Sequence, residues 1–189
     1  MLTASKLIQH NIRRLRPADQ SEVMAHFQRL DRPTRRLRFL AQVTDTYLAK
    51  YASELLSSDS IVFGAFPDGE LRGVAELRGL HDSWPRSAEL ALLVEPDWQH
   101  AGIGDAMFNR IISAARNRHI RSIQMLCLRE NKPMQTLARK HAAVLKFDTG
   151  EVEGTLSTPW PTPLSVFGEI FGDPSDYFRS MMHLADRNA

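Results

Sequence analysis

"EPDWQHAGIGDAMFNRI", residues 95–111, sets an exposed-looking Gln99–His100 pair and two glycines, Gly102 and Gly104, between an apolar run and an amphipathic one. A glycine loop at such a junction either turns the chain or holds something negatively charged. Upstream, "SAELALLVE" predicts a buried strand over Ala88–Glu95. Downstream, Ile103, Met107, Ile111 and Ala114 share one face of a helix that begins at Gly102 and runs to about Arg118. A strand, a loop and a helix in that order aim several backbone N–H groups outward from one point, where the helix dipole adds partial positive charge. That is a site for an anion, phosphate above all. Gly102 and Gly104 let the backbone come close to it without a Cβ in the way.

The flanking sequence supplies a mixed fold. "NIRRLRPAD" reads as a first strand and its turn. "ADQSEVMAHFQRL" spaces Val23, Phe27 and Leu30 for a helix, with Asp19 or Ser21 as its cap. "DRPTRRLRFL" reads as a polar, arginine-rich connection, and "TDTYLAKYASELL" as a second helix with Tyr47 and Tyr51 one turn apart. The period then changes: "IVFGAF", the turn "PDG" and "ELRGVAELRGL" make a β-hairpin. After the central strand and helix come a buried strand in "SIQMLCL", a helix opened by Asn131, and a strand or hairpin in "AVLKFDTGEVEGTL". The expected order is β-α-α-β-β-β-α-β-α-β, a mixed α/β or α+β sheet with helices packed on it.

Composition narrows the function. The chain has 189 residues, 43% hydrophobic and 24% charged, which predicts one globular domain. No apolar run approaches the ~18 residues of a membrane span. Cys127 is the only cysteine, so no intrachain disulfide forms, a reducing compartment is implied, and cytoplasm is the expected location. The seven histidines show no ligand spacing, so no metal site is expected. The acid-free start "MLTASKLIQHNIRRLR" loosely resembles a mitochondrial presequence, but its removal would take an edge from the fold.

Charge is uneven. Residues 1–50 hold ten Lys/Arg against four Asp/Glu, and residues 147–189 hold two against seven. The two ends neutralise each other or are simply solvated; without interleaved aromatics the arginines do not predict a nucleic-acid partner. Residues 157–189 form a separate segment, a Pro-rich linker at Pro159, Pro161 and Pro163 followed by a helical tail bearing Phe167, Ile170, Phe171 and Phe178. That tail docks either on the 1–156 domain or on a second copy, the latter making a homodimer.

Three nucleotide loops compete for "QHAGIG". A Walker loop needs Gly-Lys-Ser/Thr, which is absent, and a dinucleotide fingerprint needs a third glycine where Met107 stands. The third is the pyrophosphate loop of acyl-CoA users. Residues Ala88–Asn131 closely resemble the GNAT superfamily of N-acetyltransferases, whose Gln/Arg-x-x-Gly-x-Gly/Ala motif is matched by Gln99, Gly102 and Gly104. "AELALLVEPDWQ" is similar to the family's fourth strand and its exit loop, and "LRENKPMQTLARK" to its later loop and helix. The resemblance covers residues 11–156, about three-quarters of the chain.

It implies a GNAT-like, mainly antiparallel central sheet flanked by helices, with acetyl-CoA as co-substrate. The amides of His100, Ala101, Gly102, Ile103, Gly104 and Asp105 would hold the pyrophosphate. Leu92, Leu93 and Val94 would offer strand-edge groups to the pantetheine arm, with the Leu93 N–H placed to polarise the thioester carbonyl. Asn131 would touch the pantetheine, and Met134 would line the tunnel. Each also has a plain structural reading, a helix cap and a core residue.

Acyl transfer to an amine needs a base, because an ammonium ion is not a nucleophile. By resemblance that base is Glu89, whose place beside an apolar strand would raise its pKa; Glu95, at the strand exit, stands behind it. Two departures weaken the match: Ala138 occupies the position of the tyrosine that protonates the leaving thiolate, and Ala142–Ala143 replace a Gly-Phe pair. Tyr47, Tyr51 and Cys127 are alternative donors, although Cys127 reads as core. The expected activity is acetyl transfer to a primary amine, of a small molecule or a protein lysine, by direct attack in a ternary complex. The segment over residues 28–52 would wall the acceptor side, its arginines favouring an anionic group near the amine. The rival reading is a CoA-binding regulatory or interaction module without turnover.

Overall fold

The computed structural model describes residues 11–56, 60–80 and 86–162. The expected helical tail, and any pairing of two copies through it, falls outside the described residues. Seven strands form one sheet in the order β1 (Ile12–Arg14), β2 (Ser60–Ala65), β3 (Gly73–Leu80), β4 (Ser87–Val94), β5 (Ser122–Leu128), β7 (Glu151–Ser157) and β6 (Val144–Phe147). Every neighbouring pair is antiparallel except β4 and β5. No described helix is long and apolar enough to cross a membrane.

The two faces of the sheet are separated by the strand period of two. On one face Ala75, Leu77, Leu90 and Val94 pack against α4 (Ile103–Asn117) and α5 (Lys132–Lys140). The α4 residues Ile103, Met107, Phe108, Ile111, Ala114 and Ala115 are all at most 1% exposed, the stripe that the sequence spacing demands. On the other face Val62, Val74 and Leu93 pack against α1 (Gln20–Arg29) and α3 (Asp45–Leu55). Leu48, Ala52 and Leu55 line the inner side of α3, and each fully buried leucine contributes about 1.5–3 kcal/mol. The same alternation puts Glu76 and Arg78 of β3, and Glu89 of β4, on the α1–α3 face.

One expectation is corrected. The arginine-rich stretch read as a connection is a helix, α2 (Arg32–Phe39). Its start carries the usual signals: Asp31 Oδ1 accepts from Thr34 N–H at 2.9 Å, and Pro33 sits in the first turn. Its apolar face is thin, because tertiary contacts of the arginines hold it instead. Phe39 meets Tyr51 edge-on with ring centroids 5.1 Å apart, and Arg36 pairs with Glu130. The second contact ties α2 to the loop before α5, so α2 roofs the space between β4 and β5.

That space exists because the parallel pair is short. Only Ser87–Glu89 pair with Ser122–Gln124, although β4 continues to Val94 and β5 to Leu128. Beyond Glu89 this edge of β4 has no partner strand among the described residues, and a groove enters there.

Candidate active site

The loop after β4 turns sharply into α4. Gly102 caps the helix at φ 82°, in the left-handed region where a Cβ is penalised, and no side chain caps the amides behind it. His100 also sits at φ 59°, a strained conformation for a non-glycine residue. The opening amides of α4 have no intrahelical acceptors and face outward. A Cβ on Gly104 would meet only Leu137 Cδ2 at 3.6 Å and Leu92 Cδ2 at 3.8 Å. Those are ordinary contacts, so packing within the chain does not require glycine there.

The residues singled out in the sequence come together. Leu92, Leu93, Val94, Gln99, His100, Gly102, Gly104, Asp105, Asn131 and Met134 all line one groove of about 500 Å³, roofed by Thr34, Leu37 and Arg38 of α2. Ala101 packs half-buried against the core, and the Ile103 side chain is core at 1% exposure, so either could serve a ligand only through its backbone. Gln99 spends its side-chain amide on Val94 O at 3.0 Å, pinning the loop to the strand end. Asn131 is a helix cap, its Oδ1 accepting from Met134 N–H at 3.1 Å. The Asp105 carboxylate turns away from the amides to His141 and Lys140, both at 2.9 Å. Burial would raise its pKa, but these two partners hold it below the usual carboxylate range. The negative charge near the loop is thereby neutralised.

A second, smaller cavity of about 220 Å³ opens off the first and shares Leu37, Arg38, Leu92, Asn131 and Met134 with it. Its floor is the α1–α3 face of β3 and β4. Glu76, 3% exposed, receives hydrogen bonds from Arg38 at 3.2 Å, Arg78 at 2.8 Å and the Tyr51 hydroxyl. Burial pushes the Tyr51 hydroxyl well above its ordinary pKa, with the Arg38 charge opposing, so Tyr51 serves as a fixed donor to Glu76. Glu89 lines the same cavity. It is exposed on the sheet surface, so the burial expected to tune it is not there. Cys127 reaches this cavity too, at 5% exposure, and burial raises its pKa.

Glu95 serves the architecture. Its carboxylate accepts from His26 Nδ1 at 2.9 Å, from Arg29 Nε at 3.1 Å and Nη2 at 2.9 Å, and from Arg72 Nη1 at 3.1 Å. The network joins α1 to the exit of β4, just before the glycine loop. Burial alone would raise the Glu95 pKa, but the hydrogen bonds and charges of His26 and Arg29 outweigh it and depress it. A depressed carboxylate stabilises the fold above its unfolded pKa of about 4.3, and that contribution disappears as pH falls through the folded value. Wild type is therefore expected to lose thermal stability steeply below about pH 4.3. Glu95→Gln should show a shallower acid limb in melting temperature against pH; an unchanged slope would remove Glu95 from the linkage.

The sequence reading missed Glu76, Arg78 and the helical state of residues 32–39. A signal for the first two was present: in "GVAELRGL" the buried Val74 and Glu76 and the half-exposed Arg78 share one strand face. Among the described residues no group of three or more His, Cys, Asp or Glu could hold a metal ion.

With this geometry in place, comparison with known proteins is specific. A model of the acetyltransferase (GNAT) family matches residues 22–142. Among solved structures, the GNAT domain of S. lividans PAT aligns with a TM-score of 0.66 at 20% identity, over 78% of this chain and 90% of that one. YncA of Salmonella typhimurium, solved with its cofactor acetyl-CoA, aligns at 0.59 and 17% identity over 82% and 96%. PaiA N-acetyltransferase of Thermoplasma acidophilum, in complex with coenzyme A, aligns at 0.57 and 17% over 79% and 99%. The likeness to these three is one of fold, and the family uses acetyl-CoA as co-substrate. The chain belongs to the GNAT family of acetyltransferases.

Proposed function

We propose that the protein transfers an acetyl group from acetyl-CoA to a primary amine, by direct attack with both substrates bound. The observation that carries this reading is the meeting of the two cavities at Leu37, Arg38, Leu92, Asn131 and Met134. One holds the predicted phosphate loop and an unpaired strand edge; the other holds an exposed carboxylate.

The residues present fit the co-substrate. Gly102, left-handed and uncapped, with the amides of Ile103, Gly104 and Asp105, suits a pyrophosphate, and Gly104 is a glycine that internal packing does not demand. The β4 edge over Leu92–Val94 would hold the pantetheine arm, with Asn131 and Met134 opposite. Acetyl-CoA supplies an activated acyl group. The Leu93 N–H points the other way, to Val74 across the β3–β4 ladder, so the Leu92 N–H, on the groove side of β4, is the proposed donor to the carbonyl oxygen as negative charge gathers there. Glu89, directly or through a water, takes the first proton from the ammonium. As the nitrogen–carbon bond forms and the carbon–sulfur bond breaks, a second proton leaves the nitrogen and ends on the departing thiol. Ala138 brings no hydroxyl to that step, and Tyr51 is committed to Glu76, so water carries this proton. In organisation, residues 1–156 form the catalytic domain and 157–189 an appended segment.

Glu89→Gln tests the assignment. It is expected to lower kcat for amine-dependent thiol release by about 100-fold, as loss of a general base does, while acetyl-CoA affinity stays within a factor of two. Undiminished kcat at neutral pH would remove Glu89 from the mechanism.

A further inference from the structure

Arg78 and Glu89 stand directly opposite each other in the β3–β4 ladder, on the same face of the sheet. Neighbours of that kind have Cβ atoms about 4.5–5.5 Å apart, and opposite charges there ordinarily pair. Here they do not. Arg78 turns along its own strand to Glu76 Oε1 at 2.8 Å, and Glu89 has no hydrogen bond or ion pair among the described residues. A guanidinium and a carboxylate thus border the small cavity with a gap between them.

The charge balance of the floor shows what fits the gap. Glu76 is the common partner of two guanidinium groups, Arg38 and Arg78, and its two oxygens are already used by them and by Tyr51. One positive charge is left over. Arg78 uses a single nitrogen on Glu76, keeps half of its side chain exposed and lines the cavity, so the rest of its fork is available to a ligand there. Glu89 offers the complementary negative charge. Beside Arg38 and Asn131, the walls include the apolar surfaces of Phe39, Tyr47 and Leu126.

We infer that the acceptor is a free α-amino acid, its carboxylate held by Arg78 and its ammonium group facing Glu89. An α-amino acid carries the two charges one carbon apart, matching a guanidinium and a carboxylate on adjacent strands. Arginine forks bind carboxylates in two parallel hydrogen bonds, which fixes orientation as well as affinity. A lysine side chain within a protein has no carboxylate beside its amine, and neither does a protein N-terminus, so both are disfavoured. The inference rests on the acetyltransferase reading, because it takes Glu89 to be where the amine reacts.

The test separates the two. Isothermal titration calorimetry is run on the protein saturated with CoA, where no transfer occurs, using leucine, methionine and phenylalanine, each paired with its carboxamide. For at least one pair the amino acid is expected to bind at least about 30-fold tighter than its amide. Arg78→Gln should shrink that ratio to about 3-fold or less without changing CoA affinity, and Arg78→Lys, which keeps the charge without the fork, should fall between. Equal binding of acid and amide, no binding of any acid, or a preference that survives Arg78→Gln would overturn the assignment, and the wild-type comparison decides even if a variant fails to fold. Amine-dependent thiol release without a carboxylate preference would sink this inference and leave the transferase reading standing. No such release with any amine would sink both.

Discussion

Gly102→Glu is expected to abolish binding of acetyl-CoA and CoA. Two effects act together. A side chain at φ 82° is penalised by about 1–2 kcal/mol, which tilts the loop away from its present course. A carboxylate then occupies the point at which the opening amides of α4 converge, where a phosphate would otherwise sit. In a thermal-shift series, a ligand at a hundred times its dissociation constant stabilises the wild type by about 2.7 kcal/mol. The variant should show no ligand-dependent shift, while NAD and ATP shift neither protein. The quantity to compare is the shift, because the backbone penalty lowers the ligand-free midpoint by itself. A variant that kept the wild-type shift would show that "QHAGIG" is only a turn.

Glu76→Ala is expected to be the most damaging substitution to stability outside the apolar core. The carboxylate is buried, and removing it takes the acceptor from the Tyr51 hydroxyl and the counter-charge from Arg38, which is left with its hydrogen bond to Tyr51 Oη at 2.5 Å. Arg38 has only 13% of its side chain exposed and cannot easily turn to water. Breaking a buried ion pair from one side leaves an uncompensated charge, with losses of about 3 kcal/mol. For a chain of this length that is a fall of roughly 6–12 °C in melting temperature. Arg78 is half exposed and should rehydrate at little cost. A loss below about 1 kcal/mol by chemical denaturation would mean that Phe39, Tyr47 and Tyr51 hold α2 and α3 over the sheet without the carboxylate.

What the sequence revealed and what it hid have a common cause. The β4–loop–α4 unit was legible because its signals are local: a change of period from two to 3.6 and two glycines at the switch. Asn131 was legible in the same way, as a capping residue ahead of Pro133. The helix at residues 32–39 was not, because arginine is a good helix former that gives no apolar stripe, and what holds α2 lies elsewhere in the chain. Arg36 meets Glu130 across 94 positions, and Arg38 meets Glu76 across 38. Glu95 is the sharper case. Its place at the strand exit was visible, but His26 and Arg29 lie 69 and 66 positions away, and they make it a clasp between α1 and the loop. Glu89 shows the converse: its place followed from the family resemblance, yet its exposure on the sheet depends on what packs over that end of β4, which no local pattern encodes.

The central claim is that two adjoining cavities bring an amine to an activated acetyl group. The most direct measurement is free thiol released from acetyl-CoA by the full chain, with and without a panel of amines, combined with the mass of the amine recovered. The account predicts thiol release that requires an amine and matches, one for one, an amine heavier by an acetyl group. Binding of acetyl-CoA with no amine-dependent thiol release across the panel would contradict it, and would leave a CoA-binding module in place of a transferase.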